Sequence, residues 1–203
     1  MPEPCETPGA APAIAGLVLA AGAGRRFGSP KALVVAADGT PWVQLAVDVL
    51  RESGCAPVWV ALGAEAERAE ALLPPDARIV PAPDWAQGPS ATIAAGLEAV
   101  RADGAEAVLI VPVDTPDVPV SALTRIIEAA GRPRDALVQA TYRGVPGHPV
   151  LIGAHHFVAL QAALTREFGG DRGARPYLVT QRVAEVECAD LWSGEDIDEA
   201  PTP

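Results

Sequence analysis

Short apolar runs alternate along this chain with longer segments whose apolar residues recur with a helical period. The runs predict buried strands at residues 14–20, 57–62, 78–81, 107–111 and 136–141. The segments between them predict helices over residues 41–50, 64–73, 89–100 and 120–130. Strands that alternate with helices of roughly 10–15 residues are typical of right-handed βαβ units. The pattern therefore predicts an α/β fold, doubly wound around a mainly parallel sheet.

The same pattern suggests the domain boundaries. Residues 1–12 are rich in proline and carry no periodic segment, and we interpret them as a flexible leader. We predict that residues 13–198 form a single domain, because a chain of 203 residues is close to the usual size of one domain. After residue 141 the alternation loosens into an apolar run at 149–152 and a helix at 154–164, so the domain divides into residues 13–141 and 142–198. Residues 199–203 are interpreted as a tail.

Composition agrees with this fold and narrows the choice of ligand. Hydrophobic residues make up 49% of the chain and aromatic residues only 4%, so Val, Leu, Ile and Ala must build the core, as in a parallel sheet covered by helices. The net charge of −11 argues against a nucleic-acid surface, which needs clustered cations. An acidic chain that binds a polyanion must gather its cations in one place. Lys31, the single lysine, lies in a glycine-rich segment.

Cysteine usage and hydropathy indicate a cytoplasmic protein. Cys5, Cys55 and Cys188 are scattered and odd in number, which is typical of reduced thiols rather than of a disulfide set or a zinc site. No apolar run reaches the roughly 18 residues that a membrane-spanning helix needs. The first residues lack the basic region of a signal peptide. We therefore expect no membrane partner.

Topology predicts where a ligand binds. In an open α/β sheet, ligands bind beyond the carboxyl ends of the strands. That edge would carry residues 21–31 after the first strand, residues 88–92 before a helix, and Asp114 after the fourth strand. The sequence thus predicts one site built from three segments.

The segment after the first strand has the chemistry of a phosphate-binding loop. Its glycines let backbone N–H groups approach an anion closely, and they are Gly22, Gly24 and Gly28. The segment also carries three cations in one stretch of seven residues, namely Arg25, Arg26 and Lys31. A triphosphate is the natural ligand, whereas the alternative is a simple glycine-rich turn with solvated arginines. The loop by itself does not decide between the two.

Spacing separates this loop from two familiar nucleotide motifs. A Walker A loop needs Gly-Lys-Ser/Thr, but here Lys31 follows Pro30 and precedes Ala32. A dinucleotide fingerprint needs G-x-G-x-x-G running into a helix, but the third glycine, Gly28, comes one residue late. The spacing excludes a P-loop and disfavours NAD binding.

Asp114 and His148 are the other polar candidates. A carboxylate that follows a buried strand between two prolines is well placed to hold Mg²⁺, although it could instead cap the following turn. His148, between a glycine and a proline, could contact a substrate phosphate or could be a structural histidine.

Several motifs occur in an order that resembles a known family. Residues 19–22 read Leu-Ala-Ala-Gly, and Gly-x-Arg, Phe-Gly and Pro-Lys-Ala-Leu follow at residues 24–33. Later motifs are Trp-x-x-Gly at 85–88 with Ser90, Asp-x-Pro at 114–116, Gly-His-Pro-Val at 147–150 and Gly-Asp-Arg-Gly-Ala-Arg at 170–175. This series resembles the MobA-like nucleotidyltransferases, and within them molybdenum cofactor cytidylyltransferase. The chain departs from the family pattern at Phe27, Pro89 and Ala91, and at residues 199–200 after the closing Asp-x-Asp.

The resemblance implies a fold of the nucleotide-diphospho-sugar transferase type and a nucleotidyl transfer that releases pyrophosphate. It implies CTP as the donor, molybdenum cofactor (molybdopterin) as the acceptor, Mg²⁺ as the cofactor and a molybdoenzyme as a candidate partner. Residues 13–141 would bind the nucleotide, and residues 142–198 would bind the acceptor.

The resemblance also implies a role for each matching residue. The catalytic residues would be Arg26, Lys31 and Asp114. The nucleotide would contact Leu19, Ala20, Ala21, Gly22, Gly24 and Ser90. The acceptor would contact His148, Asp171 and Arg175, and the metal would bind Asp114 and Asp198.

Two alternatives stay open. One is an NAD(P)H-dependent oxidoreductase, because relatives of this family include nicotine blue oxidoreductase. The other is a non-catalytic carrier or chaperone of molybdenum cofactor. The loop spacing disfavours the first, and the joint presence of Arg26, Lys31 and Asp114 disfavours the second.

Overall fold

The computed structural model describes residues 14–166 and 172–199, whose strands form one seven-stranded sheet. The strands are β1 (Ile14–Ala20), β2 (Val58–Leu62), β3 (Arg78–Pro81), β4 (Ala107–Pro112), β5 (Leu137–Tyr142), β6 (Val145–Gly153) and β7 (Ala184–Glu187). The helices are α1 (Trp42–Glu52), α2 (Ala66–Glu70), α3 (Pro89–Ala102), α4 (Val120–Ala129), α5 (Ala154–Arg166) and α6 (Arg175–Leu178).

The strand order is β3-β2-β1-β4-β6-β5-β7. Only β6 runs antiparallel to its neighbours β4 and β5, and every other pair in the described sheet is parallel. The prediction of a single α/β domain with a mainly parallel sheet is therefore confirmed, with β6 as the antiparallel exception.

Helices cover both faces of the sheet and bury its central strands. On one face α1 and α4 place Leu50, Leu123 and other apolar residues against the sheet. On the opposite face α3 and α5 contribute Leu97 and Phe157. Apolar burial on both faces explains why β1 and β4 read as continuous apolar runs. The carboxyl ends of β1 and β4 lie between the two helical layers. We call this end of the sheet the open edge.

Two local predictions were wrong, and one undefined apolar run proved to be part of a strand. Helix α1 begins at Trp42 rather than at Pro41, because Pro41 pairs with Val35 in an isolated bridge. The helix predicted at 64–73 covers only Ala66–Glu70, since Glu65 before it is left-handed (φ 51°) and prolines follow at residues 74 and 75. The apolar run at 149–152 is the second part of the longer strand β6.

The β5–β6 hairpin brings the second half of the chain back to the centre of the sheet. Its turn has Arg143 and Gly144 at φ 54° and 77°, which is the left-handed geometry that tight hairpins need. Both turn amides donate to the carboxylate of Glu187, at 2.9 and 3.1 Å. Strand β6 then pairs with β4, so residues near its beginning lie beside the end of β4.

Some predictions fall outside the described residues, including the leader at 1–12, Cys5, Asp171 and most of the tail at 199–203. Cys55 and Cys188 are buried free thiols. Across residues 14–166 and 172–199, no helix is long and apolar enough to cross a membrane.

Candidate active site

Lys31 and Asp114 meet at the open edge of the sheet. Strands β1 and β4 are neighbours, with Leu19 opposite Pro112, so the segments that follow them lie side by side. The Nζ of Lys31 donates to Oδ2 of Asp114 at 2.8 Å. The side chains of Lys31 and Asp114 are 13% and 20% exposed, so this ion pair is largely shielded from water.

The loop between β1 and Lys31 is closed by its own backbone. Gly24 has φ 58°, and a Cβ there would overlap the carbonyl of Ser29, so only glycine fits. The amide of Gly28 donates to the carbonyl of Gly24 at 2.8 Å. Pro30 then precedes a single 3-10 turn, Lys31–Leu33, which places Lys31 at the sheet edge.

The N–H groups of this loop are available for a ligand. Within the part of the chain that the structure describes, the amides of residues 22–27 donate no hydrogen bond. Leu19 and Ala20 belong to β1, and the carbonyl of Ala21 accepts from the amide of Ala64 at 2.9 Å, which anchors the start of the loop. Unpaired amides beside a lysine form an anion-binding surface.

Asp114 is held rigidly by the turn after β4. The amide of Val113 donates to the carbonyl of Leu19 at 3.1 Å, and Oγ1 of Thr115 donates to the carbonyl of Pro112 at 2.9 Å. Among the described residues, Oδ1 of Asp114 has no hydrogen-bond partner although it is buried. An unpaired buried carboxylate oxygen is costly unless it binds a cation or a donor that arrives with a ligand.

The C-terminal arm, residues 188–199, completes the cluster. The amide of Ile197 donates to the carbonyl of Asp114 at 2.9 Å, which returns the arm to the end of β4. Oδ1 of Asp198 then accepts from Nζ of Lys31 at 2.9 Å. Arg26, whose side chain is 81% exposed, reaches Oδ2 of Asp198 at 3.4 Å. Four charged residues from three distant segments therefore share one site.

The carboxylates of this cluster fit a divalent cation. One oxygen from each of Asp114, Asp196 and Asp198 lies within 4.8 Å of the others, and hard divalent cations prefer oxygen ligands. The buried, unpaired Oδ1 of Asp114 supports the fit. The closing Asp-x-Asp motif of the sequence consists of Asp196 and Asp198, and both residues lie beside Asp114.

Lys31 and Asp198 hold each other in their charged forms. The hydrogen bond and charge of Lys31 lower the pKa of Asp198 below its ordinary value. Burial opposes the charge of Lys31, but hydrogen bonds to Asp114 and Asp198 outweigh that effect and raise the pKa of Lys31. The ion pairs therefore persist at neutral pH.

His148 lies beside the cluster as a neutral imidazole. Burial lowers its pKa, and the negative charge of Asp114 opposes this only in part. Its Nδ1 is buried and has no hydrogen-bond partner within residues 14–166 and 172–199. The hydroxyl of Tyr142 donates to the carbonyl of His148 at 2.6 Å and fixes the backbone there. His148 thus places a buried, uncharged ring next to Asp114.

Ser90 and Arg175 belong to helices α3 and α6. Ser90 is buried in the first turn of α3, and its Oγ donates to the carbonyl of Gly173 at 3.4 Å. Arg175 begins α6, which has four residues, and it lines an open cleft of about 300 Å³ together with Gln139 and Pro146. A helix of four residues is too short for its N-terminus to act as a strong anion site.

A doubly wound sheet with unpaired loop amides, a lysine and clustered carboxylates at its open edge defines a nucleotidyltransferase. The model of the MobA-like NTP transferase domain matches residues 16–185. The chain belongs to that family, and its structural neighbours share the nucleotide-diphospho-sugar transferase fold.

Individual relatives cover nearly the whole chain. Nicotine blue oxidoreductase of Paenarthrobacter nicotinovorans is 34% identical over 92% of this chain and 93% of its own length. Molybdenum cofactor guanylyltransferase of Burkholderia orbicola is 33% identical over 94% of this chain and 91% of its own length. Rv0371c from Mycobacterium tuberculosis, a solved crystal structure, is 26% identical in sequence. It superimposes with a TM-score of 0.74 over 96% of this chain and 92% of its own. Rv0371c has also been solved in complex with manganese.

Proposed function

We propose that this protein transfers CMP from CTP to molybdenum cofactor and releases pyrophosphate. The observation that carries the proposal is the contact of Lys31 with Asp114 and Asp198 beside a loop of unpaired amides. Nucleotidyl transfer needs such an arrangement, because positioning and charge neutralisation supply most of the catalysis.

The chemistry is an in-line displacement at phosphorus. A phosphate oxygen of the acceptor attacks the α-phosphorus of the nucleotide, and the bond from that phosphorus to the bridging oxygen breaks as pyrophosphate leaves. Arg26 and Lys31 stabilise the charge on the transferring and leaving phosphates. Asp114 and Asp198 would hold Mg²⁺, which would supply positive charge to the triphosphate oxygens. No group of the protein needs to form a covalent bond.

The loop and the beginning of α3 bind the nucleotide in this proposal. Unpaired amides at Gly22 and Gly24 donate to phosphate oxygens, because they have no acceptor among the described residues. Leu19, Ala20 and Ala21 form the floor of the loop, and Ser90 lies near the base or the ribose.

The acceptor binds on the side of the site formed by residues 142–198. His148 lies close enough to Asp114 to feel its charge, and Arg175 offers a cation in the cleft that it lines with Gln139 and Pro146. Asp171, the third predicted contact, lies outside the described residues. The guanylyltransferase relative supports molybdenum cofactor as the acceptor, because its name specifies that substrate.

The sequence of the loop and the names of the relatives favour different bases. The Ala-Ala-Gly sequence at residues 20–22 resembles the cytidylyl branch and favours CTP, whereas relatives named guanylyltransferases favour GTP. A second function, NAD(P)H-dependent oxidation and reduction, is favoured by the 34% identical nicotine blue oxidoreductase. Against it, the loop leads through Pro30 into a 3-10 turn, and no long helix begins there to receive a dinucleotide.

Pyrophosphate release tests the proposal directly. The purified protein is incubated with Mg²⁺ and CTP, GTP or ATP, each with and without molybdenum cofactor, and NADPH-dependent dye reduction is measured in parallel. We expect pyrophosphate only with CTP and the cofactor together. Turnover with GTP instead would reassign the base. Dye reduction without any pyrophosphate release would replace the transferase by the oxidoreductase.

A further inference from the structure

The ammonium group of Lys31 lies among the carboxylates that fit a divalent cation. Its Nζ bonds Oδ2 of Asp114 at 2.8 Å and Oδ1 of Asp198 at 2.9 Å. Oxygens of these two residues and of Asp196 lie within 4.8 Å of one another. Two of the three candidate metal ligands therefore already hold a cation that belongs to the chain itself.

The charges of the cluster explain why the carboxylates can stay close. Three carboxylates within this distance repel one another strongly where water is partly excluded. Lys31 offsets that repulsion from inside the cluster, and Arg26 adds a second, exposed positive charge at 3.4 Å from Asp198. A free divalent cation would meet a site whose negative charge is mostly neutralised.

We propose that Lys31 is a placeholder for the metal. In the nucleotide-free protein its ammonium holds Asp114 and Asp198 together and keeps divalent cations out, so that the metal enters only with the nucleotide. The inference rests on the proposed function for the identity of the triphosphate, but the placeholder contact itself does not depend on turnover.

The position of Lys31 gives a physical reason for its release. Lysine carries a compact charge on a flexible four-carbon chain, so it can change partners by rotating its side chain. The unpaired amides of residues 22–27 lie in the segment that leads to it. A triphosphate bound by these amides offers anionic oxygens to the ammonium and brings its own divalent cation to the vacated carboxylates. Lys31 is thus a positioning residue before the reaction and a phosphate ligand during it.

Binding of Mn²⁺ in the absence of nucleotide tests the placeholder. Free Mn²⁺ is measured by electron paramagnetic resonance during titration of wild type, Lys31→Met and the control Arg51→Met. Arg51, in the last turn of α1, pairs with Asp48 and Asp76 and with no residue of the cluster, so the control removes the same charge elsewhere. We expect Lys31→Met to bind Mn²⁺ at least about tenfold more tightly than wild type and the control, because a nearby positive charge is gone.

Two further variants secure the interpretation. The double variant Lys31→Met/Asp114→Asn should lose the Mn²⁺ affinity that Lys31→Met gains. That loss would show that the ion binds at the carboxylates. Lys31→Gln, which keeps a polar amide, replaces Lys31→Met if circular dichroism shows that the latter is unfolded. Equal Mn²⁺ affinity in wild type and the folded Lys31 variant overturns the placeholder.

The order of binding has its own readout. Water-proton relaxation enhancement distinguishes Mn²⁺ on the protein from Mn²⁺ on free nucleotide. Wild type should show enhancement only when α,β-methylene CTP is added, whereas Lys31→Met should show it without the analogue. Enhancement in wild type without the analogue contradicts the proposal. Because neither measurement involves turnover, a failed pyrophosphate assay and a failed placeholder remain distinguishable.

Discussion

The two carboxylates that hold Lys31 come from regions of different rigidity. Asp114 follows β4, a strand in the middle of the sheet whose residues 107–111 are buried. Asp198 belongs to the C-terminal arm, which follows the edge strand β7 and contains no strand or helix of its own in the described residues. The side chain of Asp114 is 20% exposed and that of Asp198 is 45% exposed.

The arm is attached by a few specific contacts. Arg125 of α4 forms a two-pronged ion pair with Asp190, and the ring of Trp192 packs edge-on against Tyr142 with centroids 5.4 Å apart. Gly194 passes so close to the Tyr142 ring that a Cβ would overlap it. One ligand of the cluster is therefore fixed by the core, while the other depends on surface attachments. We therefore expect substitutions in the two regions to differ in their effects on activity and stability.

Asp114→Asn should have the largest effect. The substitution keeps the size of the side chain but removes the charge, so we expect kcat/KM for pyrophosphate release to fall roughly a thousandfold, as when a central electrostatic group is lost. The matched substitution Asp198→Asn should lower kcat/KM clearly less, because the C-terminal arm can shift its position. Equal losses in the two variants would mean that the arm is as rigid as the end of β4.

Gly194→Ala should have an intermediate effect. The new methyl group would strike the Tyr142 ring, and the backbone has φ 81°, so the arm must shift and carry Asp196 and Asp198 away. We expect a loss of about 1–3 kcal/mol in the free energy of unfolding. Steady-state kinetics should show a fall in kcat/KM of roughly tenfold or more, since small misplacements near a reacting centre are costly.

Gly104→Ala is the matched control for the backbone. Gly104 has φ 80°, but a Cβ there would meet nothing within 4 Å. It should lose stability from backbone strain while its kcat/KM stays unchanged. If both glycine variants keep full activity, the contact of the arm with Tyr142 does not position the carboxylates.

Tyr142→Phe should have the smallest effect. It removes the hydrogen bond from the Tyr142 hydroxyl to the carbonyl of His148 but keeps the ring that supports Trp192. Urea denaturation should show a loss of about 1 kcal/mol, the usual net contribution of one hydrogen bond. We expect kcat/KM to stay within about threefold of wild type, because the arm is retained. A kinetic loss as large as that of Gly194→Ala would show that the hydroxyl, rather than the ring, holds the site.

The central strands and the loop beside them were accessible from sequence because their signals are local. Strands β1 and β4 are apolar throughout; a glycine-rich loop follows β1, and β4 ends at Pro112, so their approximate limits follow from pattern alone. Asp114 follows β4 closely and Lys31 lies at the end of the loop after β1, so the parallel pairing of these neighbouring strands places both segments at the same end of the sheet.

The second half of the sheet carries weaker signals. Strand β6 opens with two prolines and a glycine within its first five residues, a composition that normally argues against a strand. Strand β7 lies at the sheet edge and is mostly exposed, with Val186 as its one partly buried side chain, so no alternation marks it. Both strands form because β4 and β5 offer them backbone partners, which a local pattern cannot reveal.

By itself, then, the sequence determined the fold class, the open edge and the chemistry of the loop, because apolar period, glycine spacing and residue type act over a few neighbouring positions. The sequence pointed to Asp198 only through the family resemblance, and the tertiary structure decided that Asp196 and Asp198, more than 160 residues after Lys31, lie at its site. That contact depends on the Tyr142 ring, on the passage at Gly194 and on the bond from Ile197 to Asp114. Each of these joins segments far apart in the chain, so their effect appears only once the sheet has formed.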